Sequence, residues 1–190
     1  DREVIRRLEN FHPDLCVLAG YMLITSSELC TRYSMINLHP APPSGPIGTW
    51  REVIWQLISQ GAKETGSTIF HVTEELDQGP RIAYCSFPIR GCLFDRAWSE
   101  IADKDVRELQ IQQGEKLELF QLIRYEGMKR EQLLLEATLA SFAQGTLGFQ
   151  NGLIVNTQSG NPDQIDLTSH VENAVSTKQY DEVNAKHYLG

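Results

Sequence analysis

No apolar run in this sequence approaches the roughly 18 residues needed to cross a membrane, so neither a spanning segment nor a membrane partner is expected. Clustered positive charge is missing too. The formal net charge is −8 and the pI near 5.1, and the basic residues come at most in pairs, Arg6-Arg7 and Lys129-Arg130. Phosphate backbones are held by clustered cations, so nucleic acid is not an expected partner, and both pairs read as solvated helix faces. Cysteine is sparse: Cys16, Cys30, Cys85 and Cys92 show no CxxC spacing and no Cys/His cluster with zinc-ligand spacing, so no metal is expected. Cys16 lies in an apolar run and Cys85 in a strand-like segment, where free cysteine acts as a small hydrophobe; reduced thiols point to a cytoplasmic protein. The charged start, Asp1-Arg2-Glu3, lacks the apolar run of a signal peptide, and no internal repeat is visible.

What is present suffices for one domain and a small extension: 190 residues, with 41% apolar residues to fill a core. Val4, Ile5, Leu8 and Phe11 share a helical face behind Asp1, and His12-Pro13 ends that helix. Leu15 to Ala19 is a continuous apolar run closed by Gly20, the pattern of a strand buried on both faces. Ser26 or Ser27 caps a short helix to Tyr33, and Met35-Ile36-Asn37-Leu38-His39 is the next strand, stopped by Pro40. A Pro/Gly-rich loop, 41–48, leads to a capping box, Thr49 with Glu52, and a helix with Trp50, Val53, Ile54, Leu57 and Ile58 buried, ending at Gly61. Strands follow at Thr68–Val72 and Arg81–Pro88, joined by an acidic loop. Helix runs from about Glu115 to Gln144 with a break expected near Gly127. After Gly145 only Leu153-Ile154-Val155 and a polar tail remain. Helices alternating with strands predict an α/β fold with an open, mostly parallel sheet.

Asn37 and His39 lie two apart on one strand, so their side chains share a side at its carboxyl end, where open α/β sheets bind ligands. Alone, the pair reads as readily as a buried Asn and His satisfying local backbone. Together with Asp77 in the loop before Gly79-Pro80 it suits acyl transfer to an amine. An Asn amide and a protonated imidazole can donate to a tetrahedral oxyanion, each donor worth about 3 kcal/mol, and a carboxylate can orient the imidazole and accept the amine proton.

From Pro13 to about Ile89 the sequence resembles the folate-dependent formyltransferases, the glycinamide ribonucleotide branch in particular. The resemblance rests on Asp14-Leu15-Cys16-Val17-Leu18-Ala19-Gly20-Tyr21-Met22, on Asn37-Leu38-His39-Pro40, on Thr65-Gly66-Ser67-Thr68, and on Thr73-Glu74-Glu75-Leu76-Asp77-Gln78-Gly79-Pro80, in order and register. It implies a Rossmann-like fold, Asn37, His39 and Asp77 as catalytic residues, and 10-formyltetrahydrofolate as donor. The donor's pterin would lie against Met22, Leu23, Ile24 and Thr25 and against Val72, Thr73, Glu74 and Leu76; core packing is the other use for Met22 and Ile24. Thr68 matches a hydroxyl position close to the catalytic His.

The match also implies a strand and a Gly-rich phosphate loop ahead of residue 1. Neither appears in this sequence, so the domain is expected to be incomplete at that end, with a sheet edge for a partner or further segment to cover. Leu23 stands where the branch has Arg, Ala41-Pro42-Pro43-Ser44 replaces a Ser-Leu-Leu-Pro pattern, and Phe70 stands where the family often has His. His71 follows it and alternation sends it to the opposite face, a structural position.

The expected organisation is a formyltransferase region over 1–92, a helical extension over 93–145, and a short strand or loop with a polar tail over 146–190. The stripes Leu117, Phe120, Ile123 and Leu135, Leu139, Phe142 serve a core, or an interface in a homo-oligomer. The leading function is formyl transfer to a small-molecule amine acceptor, by default glycinamide ribonucleotide. Hydrolysis of the donor and noncatalytic folate binding are the alternatives; a tRNA acceptor sits poorly with the acidic charge.

Overall fold

The computed structural model describes residues 1–21, 23–75 and 79–188, with side chains as far as Lys178. Five strands form one sheet in the order β1 (Cys16–Leu18), β2 (Met35–His39), β3 (Glu64–His71), β4 (Arg81–Pro88) and β7 (Ile165–Asp166). The α/β class is as expected. The pairs β1–β2 and β4–β7 are parallel, whereas β2–β3 and β3–β4 are antiparallel. The parallel character read from the alternating helices thus holds at the sheet's two edges and gives way at its centre. Between β3 and β4 the reason is length: a parallel crossover takes a dozen or more residues, and the loop 72–80 is shorter.

Helices α1 (Arg2–Leu8), α2 (Ser27–Arg32) and α3 (Trp50–Ser59) occur where their patterns placed them. Ser26, the first of the two candidate serines, caps α2 by accepting from the Leu29 N–H. Thr49 and Glu52 make the reciprocal capping box of α3, and Gly61 takes the left-handed conformation just past its end, φ +59°. The first stripe is shorter than read: α1 stops at Leu8, and Phe11 is largely exposed.

Two short helices, α4 (Asp95–Ile101) and α5 (Val106–Gln112), precede α6 (Glu118–Ala143). The break expected near Gly127 does not occur, and α6 runs unbroken for 26 residues. A single helical glycine costs only about 1 kcal/mol, and ion pairs from Lys129 and Arg130 back to Glu126 span that turn. The helix serves two cores. Its first half packs Leu119, Phe120 and Ile123 against Val53, Trp55 and Leu57 of α3 and Phe87 of β4. Its second half packs Leu133 and Leu134 against Ile36, Ile69, Ala83 and Cys85 of the sheet. Leu117, Phe120 and Ile123 are therefore core, while Leu139 is 38% exposed. Burial pushes the Cys85 thiol up to about 12, as suits a packed, unreactive cysteine.

The segment read as a strand or loop and polar tail holds more order than that. A hairpin, β5 (Leu147–Gln150) with β6 (Leu153–Asn156), is followed by β7 and by α7 (Thr168–Tyr188). Asp166 accepts from the Thr168 N–H at 2.9 Å at the start of α7. Val171 and Val175, one turn apart, are buried against the sheet. Two valines are too weak a stripe to announce a helix in a sequence that is otherwise polar there.

Candidate functional site

Alternation along β2 sends Ile36 and Leu38 toward the α6 core and leaves Asn37 and His39 on the other side. Their partners on β3 are Phe70, opposite Asn37, and Thr68, opposite His39. Phe70 packs on the imidazole with ring centroids 5.8 Å apart. It therefore occupies a place beside His39 with a hydrophobic ring. The Thr68 hydroxyl donates to the Ala41 carbonyl at 2.7 Å, tying the chain after Pro40 to β3.

His39 is 6% exposed, and its Nε2 lies 3.0 Å from the Pro46 carbonyl oxygen. A carbonyl only accepts, so Nε2 carries the hydrogen in this contact. The proline-rich loop is thus a support for the imidazole. It turns through a Gly45 N–H to Pro42 carbonyl bond of 2.8 Å, and Gly45 has no room for a Cβ, which would lie 2.6 Å from the Pro42 ring.

Asn37 and His39 line a cleft of about 530 Å³. Leu23, Ile24 and Thr25 form one part of its wall, and Val72, Thr73, Glu74 and Glu75 another. The Ser27 hydroxyl donates to the Glu74 carboxylate and bridges the two segments. Ile24 is 69% exposed, so core packing does not account for it. Met22, Leu76 and Asp77 lie outside the described residues. The structure does explain the glycine of the Asp77-Gln78-Gly79-Pro80 stretch: a Cβ on Gly79 would sit 1.7 Å from the His71 carbonyl oxygen. Only glycine lets the loop return this closely, after which the His71 N–H donates to the Pro80 carbonyl at 2.8 Å.

His71 pairs with Ile36 across the strands, on the side away from Asn37 and His39. Among the described residues its buried Nδ1 has no hydrogen-bond partner, and burial lowers its pKa, favouring the neutral ring. The side is the one expected from alternation, although His71 also contributes to the cleft wall.

Sequence reasoning missed the part of the wall contributed by α3 and α6: Trp50, Arg124 and Glu131. Arg124 donates to Glu131 at 2.8 Å, and its guanidinium carbon lies 4.6 Å from the centroid of the Trp50 ring. Burial raises the Glu131 pKa, opposed by the Arg124 charge and hydrogen bond. The seven-residue spacing puts the two on one helical face, a signal legible in the sequence. That this face meets the cleft depends on how α6 crosses the sheet.

Residues 1–92 match the family model described as formyl transferase. The phosphoribosylglycinamide formyltransferase of Escherichia coli (strain K12) is 36% identical over 93 residues, 47% of this chain and 42% of that protein. The formyltetrahydrofolate deformylase of Haemophilus influenzae is 33% identical over 84 residues, 43% of this chain and 30% of that protein. The chain thus spans less than half the length of these curated relatives. The solved phosphoribosylglycinamide formyltransferase of Anaplasma phagocytophilum shares the fold, with a TM-score of 0.55, 19% identity, and coverage of 87% of this chain and 69% of that one. With Asn37 and His39 on β2 facing one cleft, and the described parts of the motifs from Asp14 to Pro80 around it, residues 1–92 are similar to the formyl transferase family.

Proposed function

We propose that this chain transfers the formyl group of 10-formyltetrahydrofolate to the amine of a small acceptor, with glycinamide ribonucleotide as the default acceptor. The observation that carries the reading is the placement of Asn37 and His39 side by side on β2, facing one cleft. The donor's pterin lies along Leu23 to Thr25 and Val72 to Glu74, with Met22 and Leu76 completing the contact, so that its formyl carbon reaches His39. The neutral amine attacks that carbon, and the carbonyl electrons move to oxygen. The Asn37 amide and the imidazolium of His39 donate hydrogen bonds to this oxyanion, which strengthen as its charge develops. Asp77 is the carboxylate that favours the imidazolium and takes the amine proton, directly or through water. Collapse of the intermediate breaks the bond from carbon to the folate nitrogen, which leaves with a proton. Formylated acceptor and tetrahydrofolate result.

A second reading, hydrolysis of the same donor, draws on the similarity to the Haemophilus deformylase. Water then takes the place of the amine and formate is released. One assay separates the two: loss of the formyl group from 10-formyltetrahydrofolate, with and without glycinamide ribonucleotide. Acceptor-dependent loss, abolished by His39→Ala and Asp77→Asn, supports transfer. Loss without acceptor moves the reading to hydrolysis, and folate binding without any loss sinks both for the default acceptor.

A further inference from the structure

We propose that Arg124 is a specificity-determining residue that receives an anionic group, phosphate or carboxylate, of the amine acceptor. The inference rests on the transfer reading above and assigns a part of the cleft that reading leaves unused. The donor is placed along 23–25 and 72–76, whereas Arg124 enters from α6 beside Trp50 of α3. Among the described lining residues Arg124 is the one arginine or lysine, set among Glu52, Glu74, Glu75 and Glu131. Among the described lining residues Arg124 is thus the permanent cation offered to an anion, apart from the catalytic His39.

The guanidinium is already held for that task. Trp50 supports it at 4.6 Å, Glu131 anchors it at 2.8 Å, and its side chain is 26% exposed. A fork fixed in this way loses little entropy on binding a planar or tetrahedral anion. The bond to Glu131 engages one terminal nitrogen, and among the described residues no further acceptor takes the other N–H groups. Bidentate contact with phosphate or carboxylate uses such a free edge. The pair is also poorly suited to fastening the fold. Both partners belong to α6, so their ion pair joins no second element, and burial pushes the Glu131 carboxyl up toward its neutral form.

Calorimetric binding tests this without requiring turnover. Two acceptor pairs are compared: glycinamide ribonucleotide with its dephosphorylated nucleoside, and glycylglycine with glycylglycinamide. The wild-type chain is expected to bind the charged member of at least one pair roughly 10- to 100-fold more tightly. Arg124→Ala removes that preference, and Arg124→Lys, which keeps charge without the fork, falls between. Unchanged far-ultraviolet circular dichroism of both variants shows that the fold survives. Lack of preference in the wild type for either pair, or a preference that survives Arg124→Ala, overturns the proposal. A third arm compares folate donors with and without the glutamyl tail. If Arg124→Ala weakens only the tailed donor, the anion belongs to the donor and the proposal fails. Discrimination by wild-type protein that never transfers a formyl group strikes the transfer reading and leaves the anion site standing.

Discussion

Arg124 and Arg130 lie on the same helix, each beside a carboxylate and each over an aromatic ring. Arg130 stacks on Phe87 with its guanidinium carbon 4.1 Å from the ring centroid, bonds Glu126 of its own helix at 2.7 Å, and reaches Glu172 of α7 at 2.6 and 2.9 Å. Its side chain is 9% exposed. Arg124 has one carboxylate partner and faces the cleft. The two carboxylates respond oppositely. Burial raises the Glu126 pKa, but hydrogen bonds and charge from Lys129 and Arg130 outweigh it, and the net shift is downward. For Glu131 burial prevails and the shift is upward. An ion pair that bridges two helices and occupies most of its donors is an element of the fold. One confined to a single helix, at the wall of a cleft, contributes less to stability and leaves hydrogen-bonding capacity for a ligand.

Substitutions can break or sharpen this contrast. The largest effect is expected at the cleft: His39→Ala should lower kcat for formyl transfer about 10³-fold, with the fold intact by circular dichroism. Arg130→Ala takes the cation from Glu172 and leaves Glu126 with Lys129 alone, and should cost about 3 kcal/mol in urea unfolding, whereas Arg124→Ala should cost far less by the same measurement. Equal losses for the two arginines would erase the distinction.

Acid gives a finer test. Because the folded pKa of Glu126 lies below its unfolded value, its stabilisation is present above the ordinary carboxylate range and is lost as pH falls through the lowered value. Glu131 has the opposite sign: its ionised form is disfavoured by folding, a cost present at neutral pH and relieved as pH drops below its raised value. Glu126→Gln should therefore be less stable than wild type at pH 7, with the gap closing toward pH 3. Glu131→Gln should be at least as stable as wild type at pH 7. The smallest effect is expected from Thr49→Ala, which removes the α3 cap and should lower Tm by a few degrees, read by calorimetry.

Local chemistry explains what could be read in advance. Met35–His39 and Arg81–Pro88 were legible to the residue because proline or a turn closes each run, and α3 because its cap and stripe agree. Asn37 and His39 could be put on one side of one strand by alternation alone, and the motif around Gly79 identified a loop whose close return the Gly79 backbone then explained. By contrast, β3 begins earlier than Thr68, at Glu64. Thr65 and Gly66 carry no strong strand signal, and a Cβ on Gly66 would meet the Cys85 carbonyl at 2.1 Å. That closeness belongs to the pairing with β4 and has no local signature.

What the amino-acid order determined by itself is therefore the set of short-range features: caps, strand ends, the side of β2 that bears Asn37 and His39, and the motif spacing that marks the family. Tertiary structure decided the rest. The antiparallel centre of the sheet, the unbroken path of α6 beneath it, and the docking of α7 through Val171, Val175 and Glu172 all depend on contacts between residues far apart in sequence. The same crossing delivers Arg124 to Trp50 and to the cleft. Periodicity states which residues share a helical face, but the neighbour that face meets is chosen by the packing of the whole chain.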